Sequence, residues 1–404
     1  MNTLKKTVRK LRPSNYWRIG EHECWFTDMA NKGYHLKKMG LYFAKFEKGE
    51  TKKTKYRIDV STKRSLSPEQ LQLYADSGWD NVTSYQYFHV FSSPNERNAP
   101  ELHTDPAEQA YTLKKFDKKL GSNAWIGTIA IVFMTCMLAA IWFLDKTPTL
   151  VLMEGFALQQ TLLTIIIGYT VLTSLQAAIS IRTLRKNLLS GNPIDHDAPW
   201  KKHYRFNSII GLLFSVAAVF SALIPFLQLV KEETKTLPLE SDHLPFVRLA
   251  DVEDNIALMR GDSSYMNNKV DWSNRYSYKW SPLAPLQYET NENGVVPGKR
   301  WEDGSGEYTP SMDTRIFQLR ITGLTDNLID DLISRERFTY SREDYVQIKH
   351  SDFDLLIVHE DPEFSLKEVF ASRGNIVMYV RYWGYADVNT LIENVDGKIA
   401  LMLD

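Results

Sequence analysis

The sequence predicts an α+β membrane protein: an N-terminal α+β sandwich, three membrane-spanning helices and a C-terminal α+β domain. Three observations predict this class. A helix-and-hairpin pattern occurs twice before residue 100, three long uncharged apolar runs follow, and strand and helix patterns alternate irregularly after residue 243. The average composition of the 404 residues, with a net charge of −1, resembles that of an ordinary soluble protein and hides this division.

The first element is a 45-residue repeat. "MANKGYHLKKMGLYFAKF" at 29–46 aligns without a gap with "YADSGWDNVTSYQYFHVF" at 74–91. Each copy reads as a helix, a glycine that suits a left-handed helix cap, and alternating strand residues. Two such units predict an antiparallel sheet of four or five strands with two helices on one face, related by a pseudo-twofold axis. Chance similarity of glycine and aromatic positions after a helix is the alternative.

Repeated aromatic residues mark a candidate partner surface. By alternation along the strands, Tyr42 shares a face with Phe46, and Tyr87 shares a face with Phe91. We expect a cytosolic protein partner on this face, with simple core packing as the alternative. Nucleic acid is not an expected partner, although stacking of RNA bases on a basic aromatic sheet is a weaker alternative.

The residues of the repeat resemble the N-terminal signature of the domain of unknown function 2812 family. The matching positions are Glu21, Trp25, Met29, Ala30, Gly33, Tyr34, Tyr56, Ile58, Asp59, Tyr74, Gly78 and Trp79. Phe26 departs from the leucine that usually follows the tryptophan. The resemblance covers about a quarter of the chain and implies a Gram-positive bacterial membrane protein. It also implies a regulator of the PadR type as partner, and no established chemistry.

Three apolar runs, at 124–144, 158–181 and 207–230, contain 21, 24 and 24 residues and no charged side chain. About 20 helical residues cross a bilayer core of roughly 30 Å, so each run predicts a membrane-spanning helix. Trp125 and Trp142 flank the first run, where interfacial anchors are expected.

Charge predicts the orientation of these helices. Lys114, Lys115, Lys118 and Lys119 precede the first run, and six further Lys and Arg residues lie between the second and third. The connection between the first and second runs has only Lys146, so the N-terminus is expected in the cytoplasm and the C-terminus outside. The net charges agree: +8 for 1–120 (22 Lys and Arg against 14 Asp and Glu) and −12 for 231–404 (19 against 31).

The expected layout is a multi-pass protein of the cell membrane. Residues 1–100 form a cytosolic α+β domain, 101–123 a basic linker, 124–230 the membrane region, and 231–404 an acidic extracytosolic α+β domain. The basic opening segment is expected to be a solvated tail, with a short helix on anionic lipid as the alternative.

A stripe of small residues in the third run, Gly211, Ser215, Ala218 and Ala222, predicts close packing between helices. A ligand groove is the alternative. The expected partners are thus the lipid bilayer, a cytosolic protein and, as a further option, other copies in a homo-oligomer.

In residues 231–404, strand patterns are predicted in 276–289, 314–324, 353–361, 366–374 and 375–384, with a hairpin turn at Gly374 and Asn375. Helices are predicted at 325–338 and 386–399. Residues 250–310 are rich in Asn, Asp, Ser and Gly, and are expected to form long loops.

The sequence lacks the residue patterns that are typical of catalytic sites. There is no zinc-protease, nucleophile-elbow or phosphate-loop motif. Asp195, His196 and Asp197 are adjacent and point in different directions, which disfavours a metal site, and we interpret Asp59 as a turn residue. We therefore expect no catalytic residues, no cofactor and no metal.

The apolar runs contain no Asp, Glu, Lys, Arg or His, which disfavours ion-coupled transport. The resulting hypothesis is a non-enzymatic sensor or regulatory protein that relays an extracellular signal to a cytosolic partner. The alternative is an antimicrobial-peptide resistance or immunity protein, whose acidic outer domain captures cationic peptides.

Overall fold

The structure is a computed structural model. It describes residues 6–13, 15–61, 63–103, 105–144, 146–239, 244–261, 265–337 and 340–403, without the side chains of 202, 203 and 205–207. The chain divides into two compact units, which are described separately. The first comprises Met1–Met134 and Thr164–Ala218, and the second comprises Thr135–Leu163 and Val219–Asp404.

The first unit contains two copies of a strand–helix–strand–strand motif. The first copy consists of β1 (Thr7–Leu11), α1 (Ile19–Ala30), β2 (Tyr34–Met39) and β3 (Phe43–Lys48). The second consists of β4 (Thr54–Val60), α2 (Pro68–Asp76), β5 (Asp80–Tyr85) and β6 (Phe88–Pro94). The two sheets have the orders β1-β3-β2 and β4-β6-β5, so both copies have the same topology.

The strand register repeats at the same 45-residue interval as the sequence. Leu36 pairs with Phe46 in the first copy, and Asn81 pairs with Phe91 in the second. Each β-hairpin has one register shift at equivalent positions, between Leu36 and Lys38 and between Asn81 and Thr83. The duplicated pattern therefore specifies a duplicated hydrogen-bond register.

Glycine ends both helices of the repeat. Gly33 has φ +75° and Gly78 has φ +87°, in the left-handed region that disfavours side chains. The glycines thus turn the chain from each helix into the following strand, as the sequence predicted.

Two expectations for this region are corrected. The strands form two three-stranded sheets rather than one sheet of four or five strands, because each copy recruits its own preceding strand. The basic opening segment is also not a free tail from residue 7 on, since β1 pairs with β3. Trp25, Phe26 and Phe46 pack in the core of this unit, with the ring centres of Trp25 and Phe46 5.2 Å apart.

Three helices are long and apolar enough to cross a membrane, counting only the described residues. The helices of this part of the chain are α3 (Pro106–Phe143), α4 (Pro148–Met153), α5 (Phe156–Leu189) and α6 (Lys201–Lys231). The three long ones, α3, α5 and α6, each begin before the predicted apolar run. Most of the expected linker at 101–123 is therefore helical, as the beginning of α3.

The small-residue stripe on α6 does not pack against another helix of the described chain. Ser215, Ala218 and Ala222 are exposed, and a Cβ on Gly211 would meet no atom within 4 Å. Instead, Phe214 stacks on Tyr169 of α5 with ring centres 3.8 Å apart. In the described chain, α6 thus contacts α5 through an aromatic pair that borders the stripe.

The second unit is built on a ten-stranded antiparallel sheet, whose main path is β15-β16-β17-β18-β14-β12-β11-β7. The strands are β7 (Glu233–Thr236), β8 (Met259–Arg260), β9 (Met266–Asn267), β10 (Val270–Asp271), β11 (Arg275–Lys279), β12 (Leu286–Arg300), β13 (Glu307–Tyr308), β14 (Ser311–Gln318), β15 (Val346–Gln347), β16 (Leu355–Asp361), β17 (Leu366–Arg373) and β18 (Ile376–Trp383). The helices are α7 (Leu249–Val252), α8 (Thr325–Glu336) and α9 (Val388–Leu403).

Both faces of this sheet are covered. Ile376, Met378 and Val380 of β18 pack in one core with α9, and Val377 and Tyr379 pack in another with α8. Side chains of a strand alternate between faces, so a strand buried on both sides becomes apolar throughout. The mixed class with antiparallel sheets is confirmed, but the expected long loops at 250–310 include the 15-residue strand β12.

The connection between α3 and α5 belongs to the core of the second unit. Leu150 and Met153 of α4 are buried among residues of α8. The backbone N–H of Leu150 donates to Asp331 Oδ2 at 2.9 Å. This connection is therefore packed against the C-terminal domain.

Candidate functional site

The four predicted partner-surface residues do not form one surface. Tyr42 is 67% exposed and Tyr87 is half-buried, whereas Phe46 and Phe91 have no exposed area. Phe46 packs under α1, and Phe91 packs against Tyr74 of α2 with ring centres 4.5 Å apart. The predicted aromatic surface is wrong in this respect, because the two phenylalanines fill the cores beneath the helices.

A different group of residues joins the repeat domain to the connection between α5 and α6. Glu23 of α1 is only 1% exposed. Its Oε1 accepts the backbone N–H of Ile58 at 2.7 Å, and its Oε2 lies 2.5 Å from Nδ1 of His196. A buried carboxylate needs such partners, because leaving it unpaired costs several kcal/mol. His196 therefore ties this connection to α1.

Helix α1 makes two further contacts with residues 195–200. A Cβ on Gly20 would lie 2.0 Å from the carbonyl oxygen of Asp195, so the two backbones are in direct contact. Five residues past Glu23, Asp28 accepts the indole N–H of Trp200 at 2.8 Å. The connection is thus docked along the length of α1.

A second histidine–carboxylate pair fastens the segment that leads into α3. Asp59 is buried in β4, rather than in a turn as expected. Its Oδ1 lies 2.9 Å from Nε2 of His103, and its Oδ2 accepts the hydroxyl of Tyr74 at 3.0 Å. Burial alone would raise the pKa of Asp59, but its hydrogen bond to His103 lowers it overall. Burial likewise opposes the charge on His103, yet Asp59 raises its pKa above the usual value.

An ion pair lies between the two histidine pairs. Arg57 donates to both carboxylate oxygens of Glu101, at 2.6 and 2.7 Å. Glu101 Oε2 is also 3.8 Å from Nε2 of His196. Arg57 is the largest influence on Glu101 and lowers its pKa. Helix α1, strand β4 and the segment at 101–103 are therefore connected to His196 by one set of charges.

The start of α3 is held between the second hairpin and α5. Phe116 packs edge-on against Phe88 with ring centres 5.4 Å apart, and Lys119 donates to the hydroxyl of Tyr87 at 2.6 Å. Buried Asp117 faces Arg185 of α5 at 3.2 Å. Movement of α3 or α5 would therefore act on the repeat domain directly.

An open groove of about 830 Å³ lies beside these contacts. One wall consists of residues 51–55 together with Thr27 and Asn31 of α1, and the other consists of residues 194–197. Lys52, Lys53 and Lys55 make the first wall basic. The groove thus has walls from both the repeat domain and the connection between α5 and α6.

We call the docked set of Glu23, Arg57, Asp59, Glu101, His103 and His196 the junction. The contacts of the junction hold segments of the chain together rather than forming a reactive centre. Burial, reinforced by nearby carboxylates, raises the pKa of the Cys24 thiol and so disfavours a reactive thiolate. Within the described ranges, no three His, Cys, Asp or Glu side chains are grouped to hold a metal ion.

Sequence reasoning missed most of this site. It considered His196 only as a metal ligand beside Asp195 and Asp197, and it passed over Glu23, 173 residues away. The available signal was the charge of Glu23 itself, at a position in α1 where an apolar residue would suit a core helix.

Comparison with known proteins gave one match. No curated protein and no solved structure matches the chain. Several signature positions contact each other in the fold, among them Asp59 with Tyr74. The resemblance found in the sequence is confirmed, since residues 18–125 match the family described as "Protein of unknown function (DUF2812)".

Proposed function

We propose that this chain is a non-enzymatic regulatory protein of the cell membrane, which relays an extracellular signal to a cytosolic protein. The repeat domain and the connection between α5 and α6 lie in the cytoplasm. The domain at 231–404 and the connection containing α4 lie outside. The bilayer surrounds the three long apolar helices.

Charge and docking both support this topology. Lys and Arg residues are concentrated before α3 and between α5 and α6, as expected for cytoplasmic segments. In the first unit, the connection around His196 packs on α1. In the second, the connection around Leu150 packs with α8. The two connections thus pack in different units, as expected if they lie on opposite sides of a membrane.

The observation that carries the proposal is the composition of the groove beside the junction. One of its walls belongs to the repeat domain, and the other is the short segment between two apolar helices. A shift of α5 or α6 would move the second wall against the first. A ligand in the groove would in turn favour one arrangement of the helices, because such coupling is reciprocal.

The basic wall indicates the chemistry of the partner. Lys52, Lys53 and Lys55 suit an acidic segment of a cytosolic protein, because opposite charges speed association and orient the complex. The family resemblance suggests a regulator of the PadR type for this role. The protein then acts by holding or releasing that regulator.

Site-specific photo-crosslinking in cells tests the proposal. A photoreactive amino acid replaces Lys53 in the groove of the full-length protein, and a matched variant carries it at the exposed Glu69 of α2. We expect a cytosolic transcription regulator to be crosslinked from position 53 and not from position 69. Replacement of His196 by Ala should lower the yield several-fold. Equal products from both positions, or no regulator from either, would remove the support for a regulatory partner.

Topology is tested separately with a reporter enzyme that is active only in the cytoplasm. Fusion after residue 404 should give no activity, and insertion within the exposed residues 63–65 should give full activity. Activity at the C-terminus would contradict the proposed orientation.

The alternative function is resistance to cationic antimicrobial peptides. The net charge of −12 on residues 231–404 favours it, since such a field attracts cations at low salt. Deletion of the gene should then increase sensitivity to cationic peptides, and reversing acidic charges on this domain should have the same effect. Unchanged sensitivity would leave the regulatory function as the only proposal.

A further inference from the structure

The turn between β2 and β3 presents an apolar surface that the junction does not use. Leu41, Tyr42 and Phe43 are consecutive and are 52%, 67% and 53% exposed. Three adjacent large apolar side chains at the tip of a hairpin are costly in water, because roughly 25 cal/mol is lost for each exposed Å² of apolar surface. These exposed side chains therefore indicate a binding surface, and the residues around the turn indicate what it binds.

A buried arginine holds this turn in place. Arg12 is 5% exposed, and its Nη1 donates to the carbonyl oxygens of Gly40 and Leu41 at 2.8 and 2.9 Å. Its backbone N–H donates to the carbonyl oxygen of Tyr42 at 2.9 Å. Its Nε donates to Nε2 of His22 at 3.0 Å, and burial keeps that imidazole neutral by lowering its pKa well below the usual value. The turn is thus a fixed structure whose apolar side chains point outward.

The position of the repeat domain indicates lipid. Phe88 and Tyr87 of its second hairpin contact Phe116 and Lys119 of α3. Lys119 lies five residues before the apolar run at 124–144, which is long enough to cross the bilayer. The repeat domain therefore lies beside the end of a helix that is long enough to cross the bilayer.

A row of cations stands behind the apolar tip. Lys45 of β3 is directly paired with Arg9 of β1 on one side and with Lys38 of β2 on the other. Like charges paired across a sheet destabilise it, and a negatively charged membrane surface would offset this repulsion. Lys45 is two residues from Phe43, or about 7 Å along the strand. This distance lies within the roughly 5–10 Å by which the apolar face of an interfacial element enters the boundary between headgroups and acyl chains.

We propose that the β2–β3 turn is a membrane anchor of the repeat domain. Leu41, Tyr42 and Phe43 enter the acyl region, and Arg9, Lys38 and Lys45 bind the headgroups of anionic lipids. The anchor rests on the proposed embedding of the long helices in a membrane. It fixes the repeat domain at the bilayer surface, so that changes in lipid charge or packing reach the junction through α1.

Depth-dependent fluorescence quenching tests the anchor in the full-length protein, reconstituted into vesicles with and without phosphatidylglycerol. In a C24S/C136S background, single cysteines replace Leu41, the equivalent turn residue Gln86, and Phe133 of the first apolar run. Each is labelled with an environment-sensitive dye. Spin-labelled lipids report contact with acyl chains, and iodide reports contact with water.

We expect the label at position 41 to be quenched by spin-labelled lipid nearly as strongly as the one at position 133. The label at 86 should be quenched at least about twofold less. The additional change of Lys38→Glu with Lys45→Glu should lower lipid quenching at 41 by about twofold, in vesicles with phosphatidylglycerol only. Iodide quenching at 41, together with lipid quenching at 133, would overturn the anchor and leave the membrane embedding intact.

Two other results also overturn the anchor. A label at 41 that is shielded from both quenchers would show that the turn is covered by protein, such as a second copy of the chain. Absence of lipid quenching at 133 would contradict the embedding itself, and the anchor with it.

Discussion

The two copies of the repeat share a backbone and differ in what covers them. Their registers and bulges coincide, yet α1 buries nine residues and α2 buries none. The turns show the opposite difference. Phe43 of the first turn is 53% exposed, whereas its equivalent Phe88 has no exposed area beneath Phe116. The first copy therefore contacts the connection between α5 and α6 through its helix, and the second contacts the start of α3 through its turn.

This difference shows how two copies with the same backbone come to have different roles. The first copy uses α1 to receive the connection from α5 to α6 at the junction, and its turn is free for lipid. The second copy uses its turn to hold the start of α3, and its helix is free for solvent or a partner. Both copies share the same backbone, and the side chains at equivalent positions determine which contacts each copy makes.

The largest effect is expected from truncating the equivalent helix positions Trp25 and Gln70. Trp25 is 2% exposed in the core, so Trp25→Ala should destabilise the repeat domain by about 3–5 kcal/mol. Gln70 is exposed and supports only the helix cap at Ser67, so Gln70→Ala should cost about 1 kcal/mol. Hydrogen exchange of β3 and β6, measured by mass spectrometry, checks both values. Similar costs would contradict the asymmetry between the helices.

The glycines that follow the two helices give the next contrast. Both have positive φ, but a Cβ on Gly33 would lie 2.6 Å from the carbonyl oxygen of Gly49, whereas one on Gly78 would lie 3.1 Å from the Ala99 side chain. Gly33→Ala should therefore cost about 3 kcal/mol and Gly78→Ala about 1 kcal/mol. Thermal unfolding of the purified protein should show the larger loss for Gly33→Ala. A larger loss of stability for Gly78→Ala would show that the second copy has the tighter turn.

The junction predicts a local effect on α1 and on the connection that is docked against it. His196→Ala removes one partner of the buried Glu23 and should destabilise the docked connection by about 2 kcal/mol. Amide exchange should become faster in α1 and in residues 190–200. The control is Leu73→Ala on the exposed face of α2, which should leave both segments unchanged. Unchanged exchange in His196→Ala would show that the imidazole does not hold the connection.

The smallest expected effect depends on pH and concerns the contact between the second copy and the segment before α3. The pKa of His103 is raised, so its contribution is complete below about pH 6.5, the unfolded value, and is lost as pH rises through the folded value. The pKa of Asp59 is lowered, so its contribution is present above about pH 4 and is lost as pH falls through its folded value. The pair should therefore stabilise the contact with the segment before α3 most strongly between about pH 4 and pH 6.5.

Accordingly, His103→Gln should destabilise the segment at 100–105 by about 1 kcal/mol more at pH 6 than at pH 9. Amide exchange rates corrected for their intrinsic pH dependence measure this difference. The control is His35→Gln, because His35 contacts the backbone carbonyl of Glu50 rather than a carboxylate. An equal effect of His103→Gln at both pH values would show that the charge on His103 does not contribute.

The sequence by itself determined the local elements. The 45-residue interval predicted the repeat, Gly33 and Gly78 marked the ends of its helices, and uncharged runs predicted the three long apolar helices. Strands β16, β17 and β18 and helices α8 and α9 were also predicted close to their observed limits. These features depend on period, capping and hydrophobic length, which are properties of neighbouring residues.

The tertiary structure alone decided which surfaces are covered. The alternation of Tyr42 with Phe46 is the same whether a helix packs above the strand or not, so burial of Phe46 could not be inferred from it. The pairing of Glu23 with His196 spans 173 residues, and no local pattern records it. Likewise, a small-residue stripe on α6 shows that close packing is sterically allowed, but it does not predict the stacking of Phe214 on Tyr169. Long-range contacts depend on the arrangement of whole elements, and that arrangement appears only when the chain has folded.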